Sequence, residues 1–340
     1  MLRSVEWDGD EAFISLSPEE LKLLNAEVGD ELIWEKTTEQ EFTIRKMRRL
    51  LLVDHMALLH RCRNALLRTG RKYTTSTGIP TTGIFSYLSA LLSIIDKTAC
   101  THVVVCFDAG GNKRKQKSDT YKANRGPLEP DFIAENRILL NEALYALGIE
   151  SIGLRGFEAD DIINTMAHVA QFGIDRFDEV VIATVDQDLL QCVTAKTKVL
   201  LWNSVKKNAL MGVDEVIEKW GCEPDDIRYI KALSGDASDN IKGIKGVGSK
   251  TALKIFVESN GNLEEILEHK KVAEHKQQFL DNLALVNLKL IPGEIGPIDW
   301  NDYKLGLGMR NDWEQFLLEY ELNGLAKRVG KTAELMKLRG

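Results

Sequence analysis

The chain has 340 residues, 44% of them hydrophobic and 28% charged, the make-up of an ordinary globular protein able to bury a core in one large domain or two. No apolar run approaches the roughly 20 residues that span a bilayer. Glu6, Asp8 and Asp10 stand where a secretory leader needs basic and apolar residues, and the five scattered cysteines include no CxxC pair. No membrane contact, leader, disulfide framework or zinc site is therefore expected, and a reducing cytoplasm is.

The formal charge of −7 speaks against a polyanionic partner only until its distribution is read. Between Asn112 and Arg125, six basic residues (Lys113, Arg114, Lys115, Lys117, Lys122, Arg125) face the single acid Asp119. Between Ile241 and Phe256 there are four lysines and no acid.

In chain order, residues 1–46 form a small β-rich module. Short β-type runs (Glu11–Leu16, Glu31–Glu35, Glu41–Arg45) surround Ser17-Pro18-Glu19-Glu20, a helix start with proline in its first turn. From Leu50 onward, β-type runs at Leu50–Val53, His102–Phe107, Ile149–Ile152, Glu179–Val185 and Lys198–Trp202 alternate with helical stretches such as Thr82–Asp96, Asp131–Leu147 and Ala159–Phe172. That alternation predicts an α/β fold with a mainly parallel, doubly wound sheet over 47–212. After about residue 213 the β runs stop, and short helices punctuated by glycine fill 213–340. Trp202, Trp220 and Trp313 are expected in the core or at its edges. Trp313, Phe316, Leu317 and Tyr320 fall at helical spacing, with a stop expected at Asn323-Gly324.

Three of the β runs end in aspartate: Leu50-Leu51-Leu52-Val53-Asp54, Val103-Val104-Val105-Cys106-Phe107-Asp108, and Val180–Val185 followed by Asp186-Gln187-Asp188. In a parallel sheet the carboxyl ends of the strands share one edge, where such folds bind ligands. Gly156-Phe157-Glu158-Ala159-Asp160-Asp161 opens the next helix, with Glu158 and Asp161 on one face of its first turn. Each acid alone has a plain explanation as a cap or a partner of the helix dipole. Seven on one rim would repel, and all-oxygen carboxylate sites suit Mg²⁺ or Mn²⁺. Two such ions roughly 4 Å apart can activate a water and stabilise the leaving oxygen of a phosphodiester.

Asn240–Thr251 nearly spells a phosphate loop, but Ser249 separates Gly248 from Lys250 and no strand precedes it. A helix–hairpin–helix variant fits better. Its glycines admit a close backbone, its amides can hold a phosphate, and its lysines attract a duplex without reading sequence. The expected DNA-binding residues are Lys242, Gly243, Lys245, Gly246, Gly248, Lys250, Thr251 and Lys254.

Gly156–Asp161, Thr184-Val185-Asp186-Gln187-Asp188 and Gly235-Asp236-Ala237-Ser238-Asp239-Asn240 resemble three signature blocks of the flap endonuclease/5′–3′ exonuclease family, in family order and within a likeness spanning about residues 47–290. The layout is most similar to the bacterial and tailed-phage members. The resemblance implies a PIN-like catalytic domain with a helical arch near 109–137 and a helix–three-turn–helix element near 235–258. It implies that Asp54, Asp108, Glu158, Asp160 and Asp161 serve a first metal region, and that Asp186, Asp188, Asp236 and Asp239 hold or support a second. It also implies a K⁺ ion on the hairpin carbonyls. Tyr121-Lys122-Ala123-Asn124-Arg125 is similar to the family's arch block, and Arg114 matches an upstream arginine. Lys122 and Arg125 would face the scissile phosphate, and Tyr121 would stack on a terminal base.

The function expected is a structure-specific 5′ nuclease with 5′–3′ exonuclease and flap endonuclease activity. Its substrates would be DNA with a 5′ flap, free 5′ end, nick or gap, or an RNA–DNA hybrid, met in primer removal and related replication and repair steps in a bacterial or phage-infected cell. A PIN-type ribonuclease and a catalytically silent binder of branched DNA are the rivals. The glycine hairpin opposes the first; the filled acidic positions oppose the second. His55 follows Asp54 where relatives usually have glycine, and either packs or touches the metal region. Within residues 1–46, Phe13–Leu16, Leu21–Leu24 and Val28-Gly29-Asp30-Glu31-Leu32 weakly resemble the swapped-hairpin fold of AbrB-type transcription factors and antitoxins, which leaves three readings open: a homodimer, an extra DNA contact, or an extension packed on the nuclease. Removing the nine candidate metal-site acids turns −7 into +2, which assigns much of the acidity to that site.

Overall fold

The strand β5 (Arg49–Asp54) is buried from its second residue to its last, because it lies between two parallel neighbours and under helices on both faces. In this computed structural model, which describes residues 6–8, 11–24, 26, 31–38, 42–111, 114, 121–122, 130–202, 209–306 and 313–330, β5 is central to a six-stranded sheet. The other members are β6 (His102–Cys106), β7 (Glu150–Ile152), β8 (Glu179–Thr184), β9 (Thr197–Leu201) and β10 (Ala209–Met211), in the order β10-β9-β8-β5-β6-β7. All neighbours are parallel except β10, which is antiparallel to β9 and extends the edge by a strand the sequence pattern did not indicate.

Strand periodicity divides the core into two layers. Leu50, Leu52, Val104, Cys106, Val180 and Ile182 join one, beneath the helix α5 (Ala159–Phe172) with its Ile162 and Met166. Leu51, Val53, Val103, Val105, Val181 and Ala183 join the other, against α2 (His55–Thr69) and α3 (Thr82–Thr98) with Leu58, Leu88 and Leu91. Between α3 and α5 runs α4 (Pro130–Ala146). From β5 the sheet grows one way through β6 and β7, then the other way through β8 and β9. The topological switch therefore falls at the carboxyl ends of β5 and its neighbours, where Asp54 sits.

The N-terminal residues make β1 (Glu6–Asp8), β2 (Glu11–Phe13), α1 (Pro18–Leu23), β3 (Leu32–Lys36) and β4 (Phe42–Lys46), as two separate antiparallel pairs. Ser17 and Glu20 close a reciprocal capping box on α1. The β3–β4 hairpin is pinned at the amino-terminal edge of the sheet, opposite the rim of acids. There Arg45 holds Asp178 through Nη1–Oδ2 (2.6 Å) and Nη2–Oδ1 (2.7 Å), and Met47 N donates to Glu31 O.

Beyond the sheet come α6 (Val213–Trp220), α7 (Ile227–Ser234), α8 (Ser249–Glu258) and α9 (Lys276–Val286). The β signal does not end at 213 as expected. The two-residue strands β11 (Gly235–Asp236) and β12 (Ile241–Lys242) pair antiparallel between α7 and α8, a ladder too short to show a period. Trp202 and Trp313 are buried and Trp220 is partly so. The helix Trp313–Glu319 ends earlier than expected: Glu321 takes φ +54 and a new helix occupies 323–330, so Asn323-Gly324 opens a helix instead of closing one. Among the described residues, no helix is long and apolar enough to cross a membrane.

Candidate active site

Asp54 ends β5 and caps α2. Its Oδ1 accepts from Ala57 N (3.0 Å), and its Oδ2 accepts from the Thr184 hydroxyl (2.8 Å). The same Thr184 oxygen accepts from Asp186 N (2.9 Å), and Asp186 Oδ1 accepts from Asp188 N (2.8 Å). One buried hydroxyl at the end of β8 thus ties the acids of two neighbouring strands together. Asp108, two residues past β6, accepts from Ala159 N (2.7 Å) and fixes the start of α5, bringing Glu158, Asp160 and Asp161 to the rim. Thr184 lay inside a recognised block but received no role from the sequence, because a threonine ending a strand is commonplace.

The acids fall into groups of different electrostatic character. Burial pushes the Asp54 carboxyl up to about 6, and the charges of Asp186 and Asp108 add to that against the two hydrogen bonds it accepts. Asp160 is held well above the carboxylate range by burial, then by Asp186 and Asp54. Among the described residues neither Asp54 nor Asp160 is in an ion pair.

Elsewhere lysines and an arginine intervene. Lys231, buried among Ile230, Ala232 and Leu233 of α7, pairs with Asp188 and with Asp236 Oδ2 (2.7 Å). Burial opposes the Asp236 charge, but Lys231 and Ser238 lower its carboxyl to about 2. Lys122 Nζ pairs with Glu158 Oε1 (2.6 Å) and lies 3.8 Å from Asp239 Oδ2. Burial alone would raise Glu158; Lys122 and Arg114 more than offset it, leaving the carboxyl below its ordinary value.

Three sequence expectations change here. Arg114 does not face an open cleft. It is buried, with its guanidinium on Glu158, on both oxygens of Asp161 (2.6 and 3.0 Å) and on Asn287 O (3.0 Å). Tyr121 is also buried and its hydroxyl donates to Glu158 Oε2 (3.0 Å), so its ring is not presented to a base. Asp161 is enclosed by Arg114 and by Lys289 N (3.0 Å), apart from Asp54 and Asp160. Arg125 lies outside the described residues. His55 packs, with Nδ1 2.9 Å from the buried Tyr87 hydroxyl.

Among the described residues, no three His, Cys, Asp or Glu side chains are already gathered closely enough to hold an ion. The donor set nevertheless fits a hard divalent cation. Asp54, Asp160 and Asp186 supply oxygen alone, and the crowding pushes Asp54 and Asp160 toward their protonated forms, where a cation would take the proton's place.

The glycine hairpin connects α7 to α8 and carries Asp236 and Asp239 at its start. Gly235 (φ +80) and Gly243 meet backbone to backbone: a Cβ on Gly243 would stand 2.2 Å from Ser234 O and 2.7 Å from Gly235 N. Gly243 is therefore needed for packing. Gly246 (φ +76) and Gly248 face open space, with Gly248 capping α8. Lys242, Lys245, Lys250 and Lys254 are exposed, and Thr251 is half-buried. From α9, Asn282 Nδ2 donates to Ala232 O and Lys242 O (both 2.9 Å), and Gln278 Nε2 to Lys242 O and Gly243 O (both 3.1 Å). These two amides hold the hairpin and carried no sequence signal beyond helical polarity. Gly243→Ala is expected to destabilise the protein by about 1–3 kcal/mol, since the clash is with backbone; urea denaturation measures it, and an unchanged midpoint would contradict the packing role.

The family model of the 5′-3′ exonuclease N-terminal resolvase-like domain matches residues 49–221, and that of the 5′-3′ exonuclease C-terminal SAM fold matches residues 222–339. A Bacillus subtilis protein named 5′-3′ exonuclease is 36% identical over 244 residues, covering 71% of this chain and 80% of its own length. An Aquifex aeolicus 5′-3′ exonuclease is 31% identical, covering 84% of this chain and 96% of that protein. DNA polymerase I of Lactococcus lactis (strain MG1363) is 34% identical over 73% of this chain, which spans only 29% of that polymerase. Among solved structures, a T5 5′-exonuclease with bound zinc has a TM-score of 0.57 at 21% identity, covering 71% of this chain and 90% of that one. The Methanococcus jannaschii flap endonuclease-1 has 0.54 at 18%, covering 86% and 94%. These two likenesses concern the fold.

Proposed function

The chain belongs to the 5′-3′ exonuclease family, and from that premise we propose that it is a metal-dependent nuclease that hydrolyses DNA at 5′ flaps, free 5′ ends, nicks and gaps, in replication and repair steps such as primer removal. The observation that carries the reading is the rim of carboxylates, in which Asp54, Asp160 and Asp186 crowd one another beside the glycine hairpin's own acids. The division we propose is a module at 1–46, a catalytic region at 47–212 and a duplex-binding region at 213–340.

Asp54, Asp160 and Asp186 would hold divalent ions, with Asp108, Glu158, Asp188, Asp236 and Asp239 around them; Mg²⁺ or Mn²⁺ suits these donors. Bound there, two such ions supply a nucleophilic water at neutral pH and offset charge on the leaving oxygen. Thr184 orients Asp54 and Asp186. Lys122, shared by Glu158 and Asp239, is the described arch cation within reach of a phosphate. The exposed hairpin lysines attract the duplex backbone. The implied K⁺ has less support, since Lys242 O and Gly243 O already accept amide hydrogens. An RNA–DNA hybrid is the further substrate we propose, because the described carboxylates would act through ions on a phosphate, the group that RNA and DNA share.

Residues 1–46 hold twelve acids against five Lys and Arg, so the whole −7 lies there and residues 47–340 balance. This relocates the acidity away from the metal site and opposes DNA contact by the module. A second copy of the chain is the partner we propose for it, because α1 buries none of its residues and two-stranded pairs are marginal alone. Light scattering with and without residues 1–46 decides; equal masses would refute it.

The central test is digestion of a labelled 5′-flap duplex with Mg²⁺ or with chelator. Cutting that survives chelation, or that proceeds equally on a closed single-stranded circle, would sink the reading. Two further outcomes are expected. Lys245→Ala with Lys250→Ala should weaken duplex binding regardless of sequence and reduce the salt slope by about 1 for each phosphate left without its lysine; an unchanged slope in a filter-binding series would argue against the hairpin. Divalent ions should raise the melting temperature at pH 8 and much less at pH 5. With Asp54 raised from 3.8 to about 6, its neutral form favours folding below 3.8 and that contribution disappears as pH rises through 6, which is where a cation takes over. Calorimetric melts showing a pH-independent gain would count against this.

A further inference from the structure

Asp160 and Asp161 are adjacent, yet consecutive helix residues point about 100° apart, and the two side chains meet different surroundings. Asp160 is half-buried toward Asp54 and Asp186. Asp161 is 2% exposed, and both of its oxygens are engaged: Oδ1 by Arg114 Nη2 (2.6 Å) and Lys289 N (3.0 Å), Oδ2 by Arg114 Nη1 (3.0 Å). An ion at Asp161 would have to break a buried two-point arginine pair and displace the half-buried Lys289 amide.

The segment that Asp161 grips is the strap at 286–291, which leaves α9. Arg114 also donates to Asn287 O. One turn along α5, the Thr165 hydroxyl donates to Asp161 O (2.7 Å) and accepts from Ile291 N (3.0 Å), and Asn164 Nδ2 donates to Lys289 O (3.2 Å). At its other end the strap is continuous with α9, whose Gln278 and Asn282 hold the carbonyls of the glycine hairpin. A path of polar contacts, completed by the chain between strap and α9, therefore runs from Arg114, through the first turn of the metal-site helix, to the element that would grip duplex.

We infer that Asp161 is a positioning residue and not an ion ligand: through the strap it fixes the distance between the hairpin and the carboxylate rim, and so selects which phosphodiester is cut. The inference rests on the nuclease reading for its second half only. A duplex held by the hairpin meets the rim at a distance set by the strap, so loosening the strap spreads cutting over neighbouring phosphates while Asp54, Asp160 and Asp186 stay in place.

The test compares wild type, Asp161→Asn and Thr165→Val. Mn²⁺ affinity is measured by titration calorimetry, and product lengths from a 3′-labelled flap duplex are resolved to the nucleotide. Both variants are expected to keep Mn²⁺ affinity within about threefold, against the 10–100-fold loss that follows removal of a ligand's direct support. Both should raise the share of products one or two nucleotides from the main cut by roughly fivefold, the effect of removing one hydrogen bond. A tenfold or greater loss of Mn²⁺ affinity in Asp161→Asn overturns the inference, as do wild-type product lengths in both variants. Thr165→Val removes strap contacts one turn beyond Asp161 and leaves every carboxylate in place, so it carries the length measurement if Asp161→Asn does not fold. Wild type that cuts no flap sinks the nuclease reading, and the Mn²⁺ comparison then still decides whether Asp161 is a ligand.

Discussion

Asp186→Asn is expected to slow flap cleavage at saturating Mg²⁺ by roughly 10³-fold, because an ion site supplies several kcal/mol of charge stabilisation and about 4 kcal/mol corresponds to that factor. The choice of residue follows from its neighbours: Asp186 is the acid whose charge raises both Asp54 and Asp160. Asparagine keeps the Oδ1 that accepts from Asp188 N, so the turn after β8 is preserved. Removing one charge from a crowded rim also relieves repulsion in the metal-free protein. The variant should therefore melt at or above the wild-type temperature without metal and gain less when Mg²⁺ is added. Single-turnover rates and paired melts measure both effects; a rate within tenfold of wild type would remove Asp186 from the metal site.

The second large effect is on stability. Arg114→Ala leaves Glu158 and Asp161 buried, with Lys122 still beside Glu158 but no cation beside Asp161 among the described residues. Breaking a buried pair in this way costs about 3–5 kcal/mol. Arg114→Lys should recover little of it, since one ammonium cannot reproduce the forked contact with both Asp161 oxygens. The pH dependence has a definite sign. Glu158 is held below its ordinary value of 4.5, so its contribution is present above that pH and is lost as pH falls through the folded value. The gap between wild type and Arg114→Ala should be widest near neutrality and narrow as pH falls below 4.5. Urea midpoints across that range test it, and a gap that widens in acid would contradict the assignment.

Both substitutions fall on residues that the sequence had already singled out, yet in one case for a different reason. Arg114 was singled out as the match to an upstream arginine of the arch block, and it proves to be held on Glu158, Asp161 and Asn287 O. Lys231, which neutralises Asp188 and Asp236, carried no sequence signal at all. An isolated lysine in a short helix looks like any solvent-facing charge until its neighbours Ile230, Ala232 and Leu233 prove buried.

What the sequence determined by itself is whatever local periodicity and chain direction dictate. Alternating runs of period 2 and period 3.6 implied the parallel sheet. Because every strand of such a sheet ends on the same edge, Asp54, Asp108, Asp186 and the acids opening α5 had to share a rim. Only the tertiary structure decided which of those acids pair with the protein's own cations and which crowd one another. Asp161 finds Arg114 across 47 residues and Lys289 across 128, while Asp54 meets Thr184 across 130. No spacing rule reaches that far: a carboxylate's partner, and with it its charge state, is set by long-range packing.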